Sequence, residues 1–237
     1  RVMAHVVPQA VFDGADVLTL GHQFVRIPLD RVDDVMAGTA YETRSGVAHR
    51  PSAFHDSLLS AESFFQLIGA RTVKSMDAFP REQPDILFDL NNAELPAELA
   101  SCCDVIYDGG TMEHVMDIFQ GFRNLMAMLR PGGHIIHHLP VVGYVNEGFY
   151  QINPTLLKSL YEANGFEIVR AVFLNWPKGV YKWDNVGIYE ITEQMHTAFY
   201  NQEDFAAKPG AWDLYCLARK VEARDRIDVP QQALYTG

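Results

Sequence analysis

Short apolar runs alternate with stretches of helical period through the middle of the chain. That alternation predicts an α/β protein on a mostly parallel sheet. The first strand is expected over 16–20, stopped by Gly21. Residues 22–56 contain Pro28, Gly38, Gly46 and Pro51 without a sustained period, and read as an insertion. A helix is expected from Ser57, with Leu58, Ala61, Phe64, Phe65 and Ile68 on one face and Gly69 at its end. Strands follow over 72–76 and 85–90, with Asp77 and Asp89 at or beside their ends. A further strand, 104–107, runs into Asp108-Gly109-Gly110. The strongest helical period comes next: Val115, Ile118, Phe119, Phe122, Leu125, Met126 and Leu129. Arg130 suits the negative end of that helix, and Pro131-Gly132-Gly133 stops it.

Residues 135–139 form the next expected strand, closed by Pro140. Asn153-Pro154 is a helix start, with a capping side chain and a proline where no N–H is needed. Leu156, Leu157, Leu160 and Tyr161 face inward, and Asn164-Gly165 supplies a left-handed end. The last strands are expected over 166–174 and 212–218. Between them, residues 175–210 hold Trp176, Tyr181, Trp183, Tyr189, Phe199, Tyr200 and Phe205, too aromatic for a disordered loop. The segment reads as a cap or an interface. Seven strands with intervening helices predict a doubly wound sheet in one domain over 1–219, followed by a C-terminal arm over 220–237. In such sheets ligands lie at the carboxyl ends of the strands. Gly21, Asp77, Asp89, Asp108 and Pro140 occupy those ends.

Composition narrows the function. Hydrophobic residues make up 48% and charged residues 21% of 237, the balance of an ordinary globular protein. A net charge of −11 disfavours nucleic acid and anionic membrane surfaces as partners. No apolar run approaches the roughly 18 residues of a membrane span. Cys102, Cys103 and Cys216 form neither a disulfide framework nor a CxxC pair, which points to free thiols in a reducing cytoplasm. His134, His137 and His138 look like a metal cluster. On a strand, however, 134 and 138 share a face and 137 takes the other, so no metal site is expected.

Asp104, Glu113-His114-Val115, Arg130-Pro131-Gly132-Gly133, the Asn-Pro helix and the strand Gly165 to Val169 together resemble the Rossmann-like (class I) S-adenosylmethionine-dependent methyltransferases, in their small-molecule branch. The resemblance covers roughly 15–174 and 212–219 and is most specific after Asp104. It implies a seven-stranded sheet with an antiparallel last strand, and S-adenosylmethionine as cofactor. Two features depart from the family. Its glycine-rich loop is reduced to Leu20-Gly21-His22-Gln23-Phe24, and glycines there let backbone approach the cofactor. The acidic residue expected about 20 positions further on is best matched by Asp77, 56 positions after Gly21. Both fit a subgroup with a glycine-poor cofactor loop and an insertion at the cofactor edge.

The resemblance implies roles for particular residues. Gly21 would give close backbone approach, and Asp77 would accept the ribose hydroxyls. Asp89 and Leu90 would hold the adenine amino group, and Asp108 would face the methionine ammonium. His114 and His138 are candidate general bases, since imidazole suits neutral pH. Each has a plainer reading: turn glycine, loop or capping carboxylate, packed histidine. The expected activity is methyl transfer to an oxygen or nitrogen of a small metabolite, by a protein that could form a homodimer. The alternative is a non-catalytic relative serving as a binding or assembly module. A nicotinamide dehydrogenase is disfavoured, since no GxGxxG follows the first strand.

Overall fold

The computed structural model describes residues 2–177, 186–192, 210–224 and 227–232. Along the chain the elements are α1 (Val2–Val6), β1 (Asp16–Leu20), α2 (Val32–Ala37), β2 (Pro51–Ser52), β3 (His55–Leu59), α3 (Ala61–Leu67), β4 (Thr72–Asp77) and β5 (Ile86–Leu87). They continue with β6 (Cys103–Asp108), α4 (Ile118–Met128), β7 (Leu129–Val142), α5 (Pro154–Ala163), β8 (Phe166–Pro177), β9 (Gly187–Glu190) and β10 (Gly210–Lys220). The main sheet runs β5-β4-β1-β6-β7-β10-β8-β9. Its first five strands are parallel, and β10 lies antiparallel between β7 and β8. This is the expected doubly wound α/β sheet with a reversed last strand. It has eight strands rather than seven because β9 adds to the free edge of β8. Most of segment 175–210, including Tyr181, Trp183, Phe199, Tyr200 and Phe205, lies outside the described residues.

Side-chain alternation divides the core in two. On one face α4 and α5 bury Phe122, Leu125, Leu157 and Tyr161 against Ile106, Ile135 and Leu139. On the other, α1, α2 and α3 bury Val6, Met36 and Phe65 against Val105, Tyr107, Ile136 and Tyr215. His137 therefore points into the first core and His138 to the second face.

Several sequence expectations shift locally. The helix read from Ser57 begins at Ala61: Ser57 to Leu59 finish β3, and Ser60 caps α3 by accepting the Ser63 N–H at 3.1 Å. Val115 belongs to the turn before α4, whose cap is Asp117, accepting the Gln120 N–H at 3.0 Å. Arg130 does not serve the helix end. It pairs with Asp16 at 2.9 Å and Asp104 at 2.8 Å, tying the amino ends of the strands. The end of α4 is instead met by Lys220, a buried ammonium that donates to the Met126 and Leu129 carbonyls at 2.7 and 2.8 Å. β5 is short because Asp85 turns to receive the Ser75 N–H and hydroxyl. The insertion over 22–56 contains α2 and most of the β2–β3 hairpin. Among the described residues no helix is long and apolar enough to cross a membrane.

Candidate active site at the carboxyl ends of the strands

Parallel pairing sets Leu20 of β1 level with Met76 of β4 and Asp108 of β6, and Asp108 level with His137 of β7. Three strands, β1, β4 and β6, thus end at one height, while β7 runs on past it to Val142. Beyond them lies a crevice of about 870 Å³, within the roughly 300–1,000 Å³ of small-molecule sites. Gly21, Asp77, Asp89, Leu90, His114 and His138 all line it. Asp108 does not.

Gly21 has φ +70°, and its N–H donates to the Met76 carbonyl at 2.6 Å. A Cβ on it would lie 3.7 Å from Asp77 Oδ2. Asp77 Oδ1 accepts the Phe79 N–H at 2.8 Å, while Oδ2 has no partner among the described residues. One carboxylate oxygen shapes the turn and the other is available. Asp89 Oδ1 similarly accepts the Asn91 N–H at 2.9 Å and the Asn91 amide at 2.8 Å. The Leu90 carbonyl is occupied from behind by the Asn124 amide at 2.9 Å. The two side chains of the glycine-poor turn fold away in different directions. His22 Nε2 lies 2.7 Å from the Glu82 carbonyl, and the Gln23 amide donates back to the Leu20 carbonyl at 2.5 Å. Gln23 packs directly over Gly109, where a Cβ would collide with it.

Asp108 departs from its expected role for a physical reason. It is 0% exposed and turned toward the α4–α5 core. Its Oδ1 accepts the Thr111 N–H at 2.9 Å and the Met112 N–H at 3.3 Å. Its Oδ2 lies 2.7 Å from His137 Nδ1, and His137 Nε2 lies 2.6 Å from the Tyr161 hydroxyl. A carboxylate can only accept, so Nδ1–H donates to Asp108 and the Tyr161 O–H donates to Nε2. The Asp108–His137–Tyr161 chain is closed and dry.

Of the two candidate histidines, His114 is half exposed, and its Nε2 stands 3.9 Å from Glu113 Oε1. His138 is better held. Its Nε2 lies 2.8 Å from Asp213 Oδ2, which also receives the Trp176 indole N–H at 2.5 Å. The proton must then sit on Nε2, leaving Nδ1 as a lone-pair site. The ring packs on Tyr215 with centroids 5.3 Å apart. Asp213 had no place in the sequence reading, and Trp176 entered it only as part of the aromatic segment over 175–210. The available signal was an aspartate inside the apolar run Trp212 to Ala218.

Glu113 is 2% exposed, and its Oε2 has no hydrogen-bond partner. Burial first, and the nearby Asp108 charge second, push its carboxyl up to about 8. The folded protein then holds a proton on Glu113 through neutrality, whereas the unfolded chain releases it near 4.5. The stabilisation is present at low pH and is lost as pH rises through 8. Thermodynamic stability should fall by about 1 kcal/mol between pH 7 and 9 from this group alone. Glu113→Gln, which cannot ionise, should flatten that slope in denaturant titrations; an unchanged slope would assign it to another group.

No known family and no curated protein matches the chain. Among solved structures it is similar to the 1,6-didemethyltoxoflavin-N1-methyltransferase of Burkholderia thailandensis, solved with 1,6-didemethyltoxoflavin and S-adenosylhomocysteine. That match has 14% identity and a TM-score of 0.48, covering 94% of this chain and 78% of that one. An S-adenosylmethionine-dependent methyltransferase from Archaeoglobus fulgidus matches at 12% identity and 0.48, covering 89% of each chain. The branched-chain polyamine synthase of Thermus thermophilus, solved with N4-aminopropylspermidine and 5'-methylthioadenosine, matches at 15% and 0.41, covering 93% and 56%. At such scores the fold rests on the strand order of this chain.

Proposed function

We propose that this protein is a methyltransferase that binds S-adenosylmethionine in the crevice and methylates an oxygen or nitrogen of a small molecule. The observation that carries the reading is the charge of the crevice. Among the described residues Asp77, Glu82, Asp89, Glu147 and Asp213 line it against a single guanidinium, Arg26. A cleft lined by carboxylates concentrates cations, and the proposed cofactor is a sulfonium cation. When bound, it supplies an electrophilic methyl group. The chain's own residues then have definite tasks. Gly21 lets the chain turn beside Asp77, and the free Asp77 Oδ2 accepts ribose hydroxyls. His138, held by Asp213, takes the acceptor's proton on Nδ1. Positioning and water exclusion supply the rest.

One observation favours the second reading, a non-catalytic binding module: the Gln23 amide fills the turn over Gly109. Thermal melting with S-adenosylmethionine and S-adenosylhomocysteine separates the two. Ligand at 100 times its dissociation constant stabilises by about 2.7 kcal/mol. No shift with either compound at millimolar concentration would sink the methyltransferase reading. Asp77→Ala should weaken S-adenosylhomocysteine about tenfold in calorimetry, in line with the roughly 1.5–3 kcal/mol of a charged hydrogen bond. Equal affinity would move the hydroxyl contact elsewhere.

A further inference from the structure

We propose that the acceptor is an aromatic carboxylate, bound in a second cavity that adjoins the crevice on the α1–α3 face of the sheet. That its ligand is the methyl acceptor rests on the methyltransferase reading; the chemistry of the ligand does not. The cavity is about 560 Å³ and has walls of Met36, Tyr41, Phe64, Phe65, Tyr107 and Tyr215. It shares Gln23, Phe24, Arg26, Tyr107 and His138 with the crevice, so a ligand in it lies beside the His138 imidazole and the Arg26 guanidinium stands where the two spaces meet.

Charge distinguishes the two spaces. In a chain of net charge −11, no aspartate or glutamate among the described residues lines this cavity, and its formally charged lining residues there are Arg26 and Arg31. Arg31 shares its guanidinium with Asp34 at 3.0 Å, whereas Arg26 has no partner among the described residues. The crevice therefore admits a cation and the adjoining cavity an anion.

The walls favour a flat ring. Phe65 and Tyr107 pack with centroids 5.5 Å apart, tilted to one another, and His138 packs on Tyr215. The buried Tyr215 hydroxyl lies beside the Tyr107 phenol without a hydrogen bond of ordinary geometry. Burial pushes the Tyr107 hydroxyl up to about 12 and the Tyr215 hydroxyl up as well. Both stay protonated, so these walls remain uncharged against a flat ring.

Calorimetry tests this with 6-hydroxy-2-naphthoate and its uncharged counterpart 2-naphthol, with and without S-adenosylhomocysteine. The naphthoate should bind at least tenfold more tightly than the naphthol. Arg26→Gln combined with Arg31→Gln, both at exposed positions, should erase that preference, and Arg31→Gln alone, which lies outside the crevice, should weaken it and leave S-adenosylhomocysteine affinity unchanged. Equal binding of the two probes by the unmodified protein overturns the proposal. So does tighter binding of dodecanoate, which would make this an alkyl site. Loss of S-adenosylhomocysteine affinity in Arg31→Gln also overturns it, by placing Arg31 in the nucleotide site. Arginine-dependent naphthoate binding without S-adenosylhomocysteine binding would keep the cavity assignment and remove the methyltransferase reading. The reverse pattern would remove the cavity assignment alone.

Discussion

Replacing His137 with leucine should lower the unfolding free energy by about 2–3 kcal/mol, the cost of taking a charged hydrogen bond from a buried carboxylate. Asp108 and His137 are both 0% exposed, and their 2.7 Å contact is the only side-chain hydrogen bond that Asp108 receives among the described residues. Leucine fills most of the space but donates nothing. The Asp108 carboxylate keeps its two backbone donors and loses the imidazole, and the Tyr161 hydroxyl loses its acceptor in the same step. Tyr161→Phe removes only the outer link and should cost about 1 kcal/mol. In the His137→Leu background the same change should cost almost nothing, because its partner is already gone. Urea titrations of the four proteins would measure the coupling. A His137→Leu loss below about 1 kcal/mol, or additive effects of the two changes, would show that the chain of hydrogen bonds does not act as a unit.

That buried chain also shows what the sequence could and could not reveal. Alternation along 134–138 separates His137 from His138, and the structure places the two on opposite faces of the sheet. What alternation does not supply is the partner across the strand. His137 meets Asp108 only because β6 and β7 pair in a register that sets them level, so the carboxylate turns inward rather than toward the crevice. Gly21, Asp77 and Asp89 were legible as lining of the crevice because the ends of parallel strands are marked locally, by an apolar run that stops at a polar residue or a glycine; Leu90 came with the resemblance. α4 and α5 were legible through their apolar stripes, although the α4 stripe predicted a start three residues early. The pieces that escaped, α1, α2, the β2–β3 hairpin and β9, are too short for a period to emerge. Asp213 escaped for a different reason. It reaches His138 from 75 positions away, through the antiparallel pairing of β10 with β7, where the register shifts between Trp212 and Asp213.

The same contact decides between the two candidate bases, and it carries the largest expected effect on rate. His138→Ala should lower kcat by about 100-fold to 1,000-fold, the usual range for loss of a positioned general base, and leave S-adenosylhomocysteine affinity unchanged. His114→Ala should change kcat less than threefold. Both imidazoles line the crevice, but only His138 has a carboxylate within hydrogen-bond distance to hold its ring and set its proton on Nε2. A base whose orientation is fixed before the acceptor arrives avoids the cost of ordering it during the reaction. Asp213→Asn tests the orientation separately. The amide is nearly isosteric and can turn either its oxygen or its nitrogen toward the ring, so the tautomer is no longer enforced. That variant should lose about tenfold in kcat with KM little changed. Should His114→Ala be the variant that loses the rate, the proton goes to the exposed imidazole, and the Asp213–His138 pair is a structural contact of the β7–β10 seam.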